Sequence, residues 1–481
     1  MKPVFLVLLV SAALLLGGCL GDAETPASTP TATHTPGATA TIQPTHTPSP
    51  TATTAPHLLV EPSDLQGVSI SLWHPYSGAA ADALREMVND FNSENEYDIN
   101  VEVYSMGSVG ALQERMYTPT LEAGIDTLQS TDLPQVVIAP QVVLRTWADA
   151  ELLMPLDDYL QKPGLGFSAD DLADVDPLAL QQSTIAGELF SLPLLRNAPV
   201  LFYNHTWAQE LGFETPPATL EDFSEQACAA QAALLADADP ENDYTGGWIV
   251  NHDENTLLSW LAVFGMADVY GAGEVPVFNT PETEEAFAWL WQLNNSGCAW
   301  SSRQPTPYDY FATRRALLFS ATLRDTVWVE GALRLNNNSD EWRMLPYPAV
   351  DSAETPILLW DSSAVAVVQG EPEQQLASWL FAVWLLEGKN QAVLAISTNS
   401  FPARENAWTW LDVYTRYHPQ GAQAREWTVE QASVPLDSSW LTAGNLLEDA
   451  AWQLFQPYTT QDQIPFLLET LDSMIEEFAA E

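Results

Sequence analysis

The sequence predicts an α/β protein built on a parallel sheet. Two observations carry the prediction. Short β-like runs alternate with longer amphipathic segments through the first part of the chain, and strand, helix, strand, helix, strand in succession means parallel strands joined by crossover helices. The short run Gln135 to Ala139 is apolar from Val136 on, as a central parallel strand covered on both faces must be. Size permits this: 481 residues with 46% hydrophobic content give two or three domains at roughly 100 to 200 residues each.

In chain order, Met1-Lys2 supplies a positive start and Val4 to Leu16 an apolar stretch, closed by Leu16-Gly17-Gly18-Cys19. This is a secretory signal over residues 1–18, too short for a membrane span of about 20 apolar residues. The Leu-Gly-Gly-Cys ending resembles the bacterial lipobox, which implies lipidation of Cys19 and an extracytoplasmic, membrane-anchored protein. From Thr25 to Pro56 the chain is almost only Thr, Pro, Ala and Ser with His34 and His46. Such a segment cannot offset its ordering entropy by burial, so residues 19–57 read as a disordered tether.

Val68 to Trp73 alternates as a strand does, Pro75 to Gly78 turns, and Ala79 to Glu94 reads as a helix burying Leu84, Met87, Val88 and Phe91. Ile99 to Tyr104 is a second strand, Met106-Gly107-Ser108 a turn, and Ala111 to Met116 opens a helix before the third strand. In parallel sheets ligands sit beyond the carboxyl ends of the strands, which makes Trp73 to Gly78, Met106 to Ser108 and Pro140-Gln141 candidate site loops.

Further on, Thr219 with Asp222 forms a capping-box pattern, and Thr280-Pro-Glu-Thr-Glu opens another helix with acids in its first turn. Ala316 to Phe319 and Ala364 to Val368 are short apolar strands. Pro372 to Glu387, Ala403 to Tyr417 and Gln461 to Ala479 look helical. Strands that return late suggest that the backbone revisits its first lobe. Cys228 and Cys298 are the cysteines left once Cys19 is set aside; an oxidising compartment suits a disulfide, and two buried thiols are the alternative.

The charge balance excludes some partners. With 64 acidic residues against 16 basic and a net charge of -48, the chain repels phosphate backbones, so nucleic acid is a poor partner. Enzyme signatures such as His-Glu-x-x-His or Gly-x-Ser-x-Gly do not occur, no cofactor is expected, and His74, His205, His252 and His418 are dispersed. A glycosidase carboxylate pair stays open on sequence alone. Asp237, Asp239, Glu241 and Asp243 alternate like a calcium loop but lack its Gly and closing Glu, which favours a solvated acidic loop.

Trp73-His74-Pro75-Tyr76 with a helix ending in Asp90-Phe91-Asn92, Val200-Leu201-Phe202-Tyr203-Asn204, and Thr219-Leu220-Glu221-Asp222-Phe223 resemble the family 1 extracellular solute-binding proteins of ABC importers. So do Leu152 to Asp157, Ala186 to Pro193 and Phe401-Pro402, in the same order. Leu195, Ala208 and Leu220 depart from the family's habits. The resemblance implies a type II two-lobed fold with a ligand cleft, its N-terminal lobe at 58–199 plus 320–370 and its C-terminal lobe at 200–319 plus 371–481. It places hinge crossings near Arg196 to Val200, Phe319 to Thr322 and Gln369 to Glu371. The sugar-binding and glycerol-3-phosphate-binding branches are the nearer relatives, and separate permease and ATPase chains are the implied partners.

The same resemblance places Trp73, His74, Tyr76, Ser77, Gly107, Ser108, Gln141, Arg196, Asn197, Ser320, Arg324, Trp360, Asp361 and Ser362 at the cleft, with Trp248 from the second lobe. A sugar needs an aromatic to stack on and both donors and acceptors for its hydroxyls, a mixture these residues supply. Trp73, Trp248 and Trp360 are the stacking candidates, against the ordinary role of Trp in packing. Arg196 and Arg324 are suited to a phosphate or carboxylate, against pairing with one of the many acids.

Overall fold

A computed structural model describes residues 56–115, 133–162, 164–270, 275–304 and 306–479. The signal sequence, Cys19, His34, His46 and nearly all of the Thr/Pro-rich segment lie outside the described residues, as does Met116.

Strands β1 (Ser69–His74), β2 (Asn100–Ser105) and β3 (Val136–Pro140) lie parallel in the order β2-β1-β3. The helix Gly78–Glu94 crosses from β1 to β2 and buries Ala81, Leu84, Met87, Val88 and Phe91, the face its apolar spacing predicts. Asn95 ends it by donating to Phe91 O at 2.9 Å and accepting from Ile99 N at 2.8 Å, which turns the chain into β2. A hairpin of β4 (Thr184–Ile185) and β5 (Glu188–Leu189) turns at Ala186-Gly187, with φ of 51° and 91°. Two positive φ values are what a type I′ hairpin turn requires.

The first sheet is completed by β6 (Leu192–Asn197), β12 (Ile357–Val367) and β13 (Phe401–Pro402), in the order β13-β6-β12-β3-β1-β2, with β14 (Glu430–Ser433) beside β12. β12 runs antiparallel to both β3 and β6. At 11 residues it is far longer than the apolar run Ala364 to Val368 suggests, because a second apolar stretch, Ile357 to Trp360, buried from Leu358 on, precedes the polar Asp361 to Ser363.

The second sheet has the order β11-β7-β10-β8-β9, from β7 (Pro199–Asn204), β8 (Gly246–Val250), β9 (Ala299–Ser301), β10 (Ala316–Thr322) and β11 (Trp342–Leu345). Its core holds Phe223, Trp248, Trp260, Phe287 and Tyr347. The capping box at Thr219 and Asp222 starts the helix Leu220–Leu235, and Thr280 caps Pro281–Asn295 by accepting from Thr283 N at 3.2 Å. Cys228 and Cys298 are joined by a disulfide. Beside it β8 runs so close that a Cβ on Gly247 would stand 1.9 Å from Cys298 O. Gly246 is likewise close to the neighbouring helix, a Cβ there standing 2.7 Å from Ala230 O, so close packing accounts for both glycines.

Each sheet with its own core forms a lobe, and the lobe boundaries differ from the sequence expectation. Helices Pro372–Leu385 and Gly388–Thr398 belong to the first lobe, where Leu376, Trp379, Phe381 and Leu394 share a core with Ile70, Leu72 and Phe91. Helix Thr326–Leu335 and β11 belong to the second, as do Trp440–Leu454 and Ile464–Ala479. The first crossing, between β6 and β7, falls where expected. β10 stays in the second sheet throughout, so the second crossing joins β11 to β12, and the third follows β14. Ala403 to Tyr417 is not one helix but a 3-10 turn, Glu405–Trp410, followed by the helix Asp412–Tyr417.

Candidate ligand cleft between the two sheets

At the crossings β12 carries two faces with different fates. Asp361 pairs with Asn197 and Ser362 with Arg196 across the antiparallel ladder, and directly opposite residues share a face while neighbours alternate. Arg196, Trp360 and Ser362 therefore point one way, Asn197 and Asp361 the other.

Internal bonds occupy much of the first face, where Arg196 Nε and Trp360 Nε1 are nevertheless buried without partners. Arg196 donates to Asp176 Oδ2 at 2.6 Å and to Gln431 Oε1 at 2.9 Å, and its guanidinium stacks 3.9 Å above the Trp360 ring. Burial lowers its pKa to about 10 against the pull of Asp176. Gln182 donates to Trp360 O at 2.8 Å and to Ser433 Oγ at 2.7 Å, and accepts from the Ser362 hydroxyl. The expectation that Arg196, Trp360 and Ser362 meet a ligand thus gives way to a buried ion pair and stack that tie β6, β12 and β14 together.

On the second face Asp361, but not Asn197, lines a cavity of about 320 Å³ between the lobes. Pro140 and Val143 line it from the first lobe, Asp361 from the crossing, and Glu254, Trp440 and Asn445 from the second. Glu254 opens the helix Glu254–Val263, which Asp253 caps by accepting from Asn255 N and Thr256 N, each at 3.1 Å. The Glu254 amide donates to Glu448 Oε1 at 3.0 Å, and a Cβ on Gly444 would stand 2.0 Å from Glu254 Oε2. Glycine at 444 makes the room in which this carboxylate lies. Burial, then the charges of Glu448, Asp253 and Asp361, push the Glu254 pKa up to about 7. Burial likewise pushes Asp361 up to about 6, opposed by the Arg324 charge and a bond from the Ser362 amide.

A second cavity, of about 430 Å³, lies at the carboxyl ends of β8, β9 and β10 and is lined by Asn251, His252, Ser301, Ser320, Trp452 and Gln456 among others. The helix Trp440–Leu454 borders both spaces. Leu441 and Asn445 line the first and Trp452 the second, at spacings of four and seven residues that keep them on one helical face.

The other residues singled out in the sequence divide between framework and rim. Trp248 is fully buried against Trp260 and Phe223 and donates from Nε1 to Ser320 Oγ at 3.1 Å, a core role in place of the expected stacking one. Trp73 is packed with Val137, Leu144 and Trp147, with Arg115 5.5 Å from its ring centroid. Gln141 is buried, donating to Ser183 Oγ and accepting from Ser191 Oγ at 3.2 Å, which leaves its amide committed to the framework. His74 is buried and accepts at Nδ1 from Tyr76 N at 3.1 Å, its pKa lowered to about 4 by burial and by Arg85.

Tyr76 has a buried hydroxyl without a partner, and burial raises its pKa to about 12 against the charge of Arg324. Arg324 donates from Nε to Ser400 Oγ at 2.8 Å and is in no ion pair among the described residues. Ser77, Gly107 and Ser108 are exposed beyond the carboxyl ends of β1 and β2. Ser108 caps the following turn by accepting from Ala111 N at 3.1 Å, and Gly107 has φ +83°. The Asp237 to Asp243 loop closes on itself, Asp237 accepting from Asp239 N and Asn242 Nδ2. Among the described residues no three His, Cys, Asp or Glu side chains converge to hold a metal ion.

The family model for bacterial extracellular solute-binding proteins matches residues 86–417. The chain belongs to that family. This solute-binding protein is 22% identical to the sn-glycerol-3-phosphate-binding periplasmic protein UgpB of Escherichia coli (strain K12), over 76% of each chain. Its fold is similar to that of the cyclic alpha-maltosyl-1,6-maltose binding protein from Arthrobacter globiformis, with a TM-score of 0.66 at 18% identity over 85% of this chain and 98% of that one. It is also similar to the sugar-binding protein MalE from Xanthomonas citri, with a TM-score of 0.69 at 16% identity over 86% and 98%. The fold is thus the two-lobed α/β fold of these binding proteins, which are not enzymes by name. Of the residues singled out in the sequence, Asp361 lines the first cavity and Ser320 the second, whereas Glu254, Trp440, Asn445 and Trp452 were not singled out. The one signal for them was Gly444, a glycine inside an otherwise apolar helical run.

Proposed function

We propose that this protein is the substrate-binding lipoprotein of an ABC importer, lipidated at Cys19, which captures a mono- or oligosaccharide in the interlobe cleft and delivers it to a separate permease and ATPase. The observation that carries the reading is the pair of cavities flanking one face of the helix Trp440–Leu454, each within the roughly 300 to 1000 Å³ of small-molecule sites. They combine aromatic surface, at the half-exposed Trp452, with amides and hydroxyls at Asn445, Asn251, Ser301 and Gln456. A carbohydrate asks for this combination: a face to stack on and partners for hydroxyls.

Capture needs no covalent step. A ligand that touches both lobes only when they close shifts the population toward the closed state by its binding free energy, about 8 kcal/mol at micromolar affinity.

A phosphorylated polyol is the second reading, favoured by the name of the UgpB relatives and by Arg324, which no carboxylate among the described residues pairs. Two buried acids in the cleft oppose it. Thermal shift and Trp fluorescence of the purified full chain against mono- and oligosaccharides, polyols and glycerol 3-phosphate separate the readings. Saccharide binding without product supports the first. A response to glycerol 3-phosphate alone replaces it with the second, and product release from a glycoside refutes both.

A further inference from the structure

Three separate pieces of chain in the wall of the 320 Å³ cavity, namely Pro140 and Val142 at the end of β3, Asp361 in β12 and Val434-Pro435 after β14, are held from behind by two consecutive residues that do not line it. The first is Gln182, the buried last residue of the helix Pro177–Gln182. Its Nε2 donates to Trp360 O and to Ser433 Oγ, and its Oε1 accepts from the Ser362 hydroxyl. One amide thus holds β12 on both sides of Asp361, and β14 at the residue before Val434. Trp360 O also accepts from Val434 N, at 3.1 Å. The second is Ser183, also buried, whose Oγ accepts from Gln141 Nε2. Gln141 is the residue between Pro140 and Val142. At the other end of the same helix Asp176 accepts from Leu178 N and Ala179 N, each at 3.0 Å, and from Arg196, whose guanidinium stacks on Trp360.

We propose that Gln182 and Ser183 are the positioning residues of the cleft, fixing three pieces of its wall without touching the solute. A side-chain amide carries its donors and its acceptor in one plane, so with all of them in use its partners have set places. Successive strand residues point to opposite faces, and holding Trp360 and Ser362 from behind therefore aims Asp361 into the cavity. A Met at 182 takes the acceptor from the buried Ser362 hydroxyl and the donors from Trp360 O and Ser433, and the strands shift to find other partners. The inference rests on the saccharide reading of this cavity and deepens it.

Hydrogen exchange of the unliganded full chain, followed by calorimetric titration with maltotriose and cellotriose as probes, tests this in Gln182→Met, Gln182→Glu and Ser183→Ala. Gln182→Met should speed exchange about tenfold in 357–363 and 430–434 while β8 and β10 stay unchanged, and Ser183→Ala should act in 138–145 alone. Each variant should bind the trisaccharide that the wild type binds about tenfold more weakly, the scale of one hydrogen bond. In Gln182→Glu the carboxylate keeps the Ser362 bond but has no donor until it is protonated. Its affinity relative to the wild type should therefore recover between pH 7.5 and pH 5, a pattern that lost stability alone does not give. Thermal melts of all three variants set unfolded protein aside. Unchanged exchange in these segments, exchange raised throughout the first lobe, or wild-type affinity in all three variants overturns the positioning role. Binding of neither trisaccharide by the wild type counts against the saccharide reading alone, and the exchange pattern then decides the positioning role.

Discussion

Replacing Glu254 by Gln is expected to stabilise the unliganded protein at alkaline pH and to leave it unchanged in acid. The carboxyl sits on Gly444 with negative neighbours, and its pKa rises from 4.5 to about 7 on folding. The folded state thus holds more protons than the unfolded one between those values, so this group's contribution falls as pH rises across that window and levels off above it. At 1.36 kcal/mol per unit the loss amounts to about 3 kcal/mol. An unfolding entropy of roughly 2.1 cal/mol/K per residue, over a body of this size unfolding as one unit, converts it to about 3 °C. His74, held near pKa 4, acts in the opposite sense, losing stability as pH falls below 6.5. It is common to both proteins and cancels in their difference. Calorimetric melts at pH 5 and pH 8 should show the variant higher by about 3 °C at pH 8 and nearly level at pH 5. A variant that melts lower at pH 8, or a difference that ignores pH, refutes the buried, uncompensated carboxylate.

Three further outcomes follow from the same geometry. Gly444→Ala drives a methyl into Glu254 Oε2 and should cost about 1 to 3 kcal/mol by denaturant unfolding, with most of the loss restored when Glu254 is also made Ala. Trp452→Ala removes a half-exposed indole from the second cavity and should weaken binding of a trisaccharide about tenfold while barely changing a monosaccharide, read by calorimetry. Cys228→Ser with Cys298→Ser opens a disulfide across 70 residues and should lower stability by about 2 to 5 kcal/mol without altering the saccharide ranking.

Much of the first lobe was legible because period-2 and period-3.6 patterns there are uninterrupted. Ile70 and Leu72 alternate inward, and Leu84, Met87, Val88 and Phe91 stripe one helix face. Which lobe a late helix joins is a different matter. Leu376, Trp379 and Leu394 are as apolar as Leu447 and Leu468, and only tertiary packing sends the former to the first core and the latter to the second. The site divides similarly. Asp361 was reached through the family resemblance and lines the first cavity. Asn445, Glu448 and Trp452 lie at the spacing of an ordinary solvated helix face, and Glu254 resembles any acid in the first turn of a helix. Trp248 misled because full burial in the core and exposure in a cleft both suit an indole.

The central claim, capture of a saccharide between the two lobes, is tested most directly by calorimetric titration of the purified full chain with a saccharide panel, followed by analysis of the recovered sugar. The account predicts saturable one-to-one binding of at least one saccharide, recovered intact, and its weakening by Asn445→Ala and Trp452→Ala. Saturable binding that is indifferent to both substitutions, or recovery of a cleaved sugar, contradicts it.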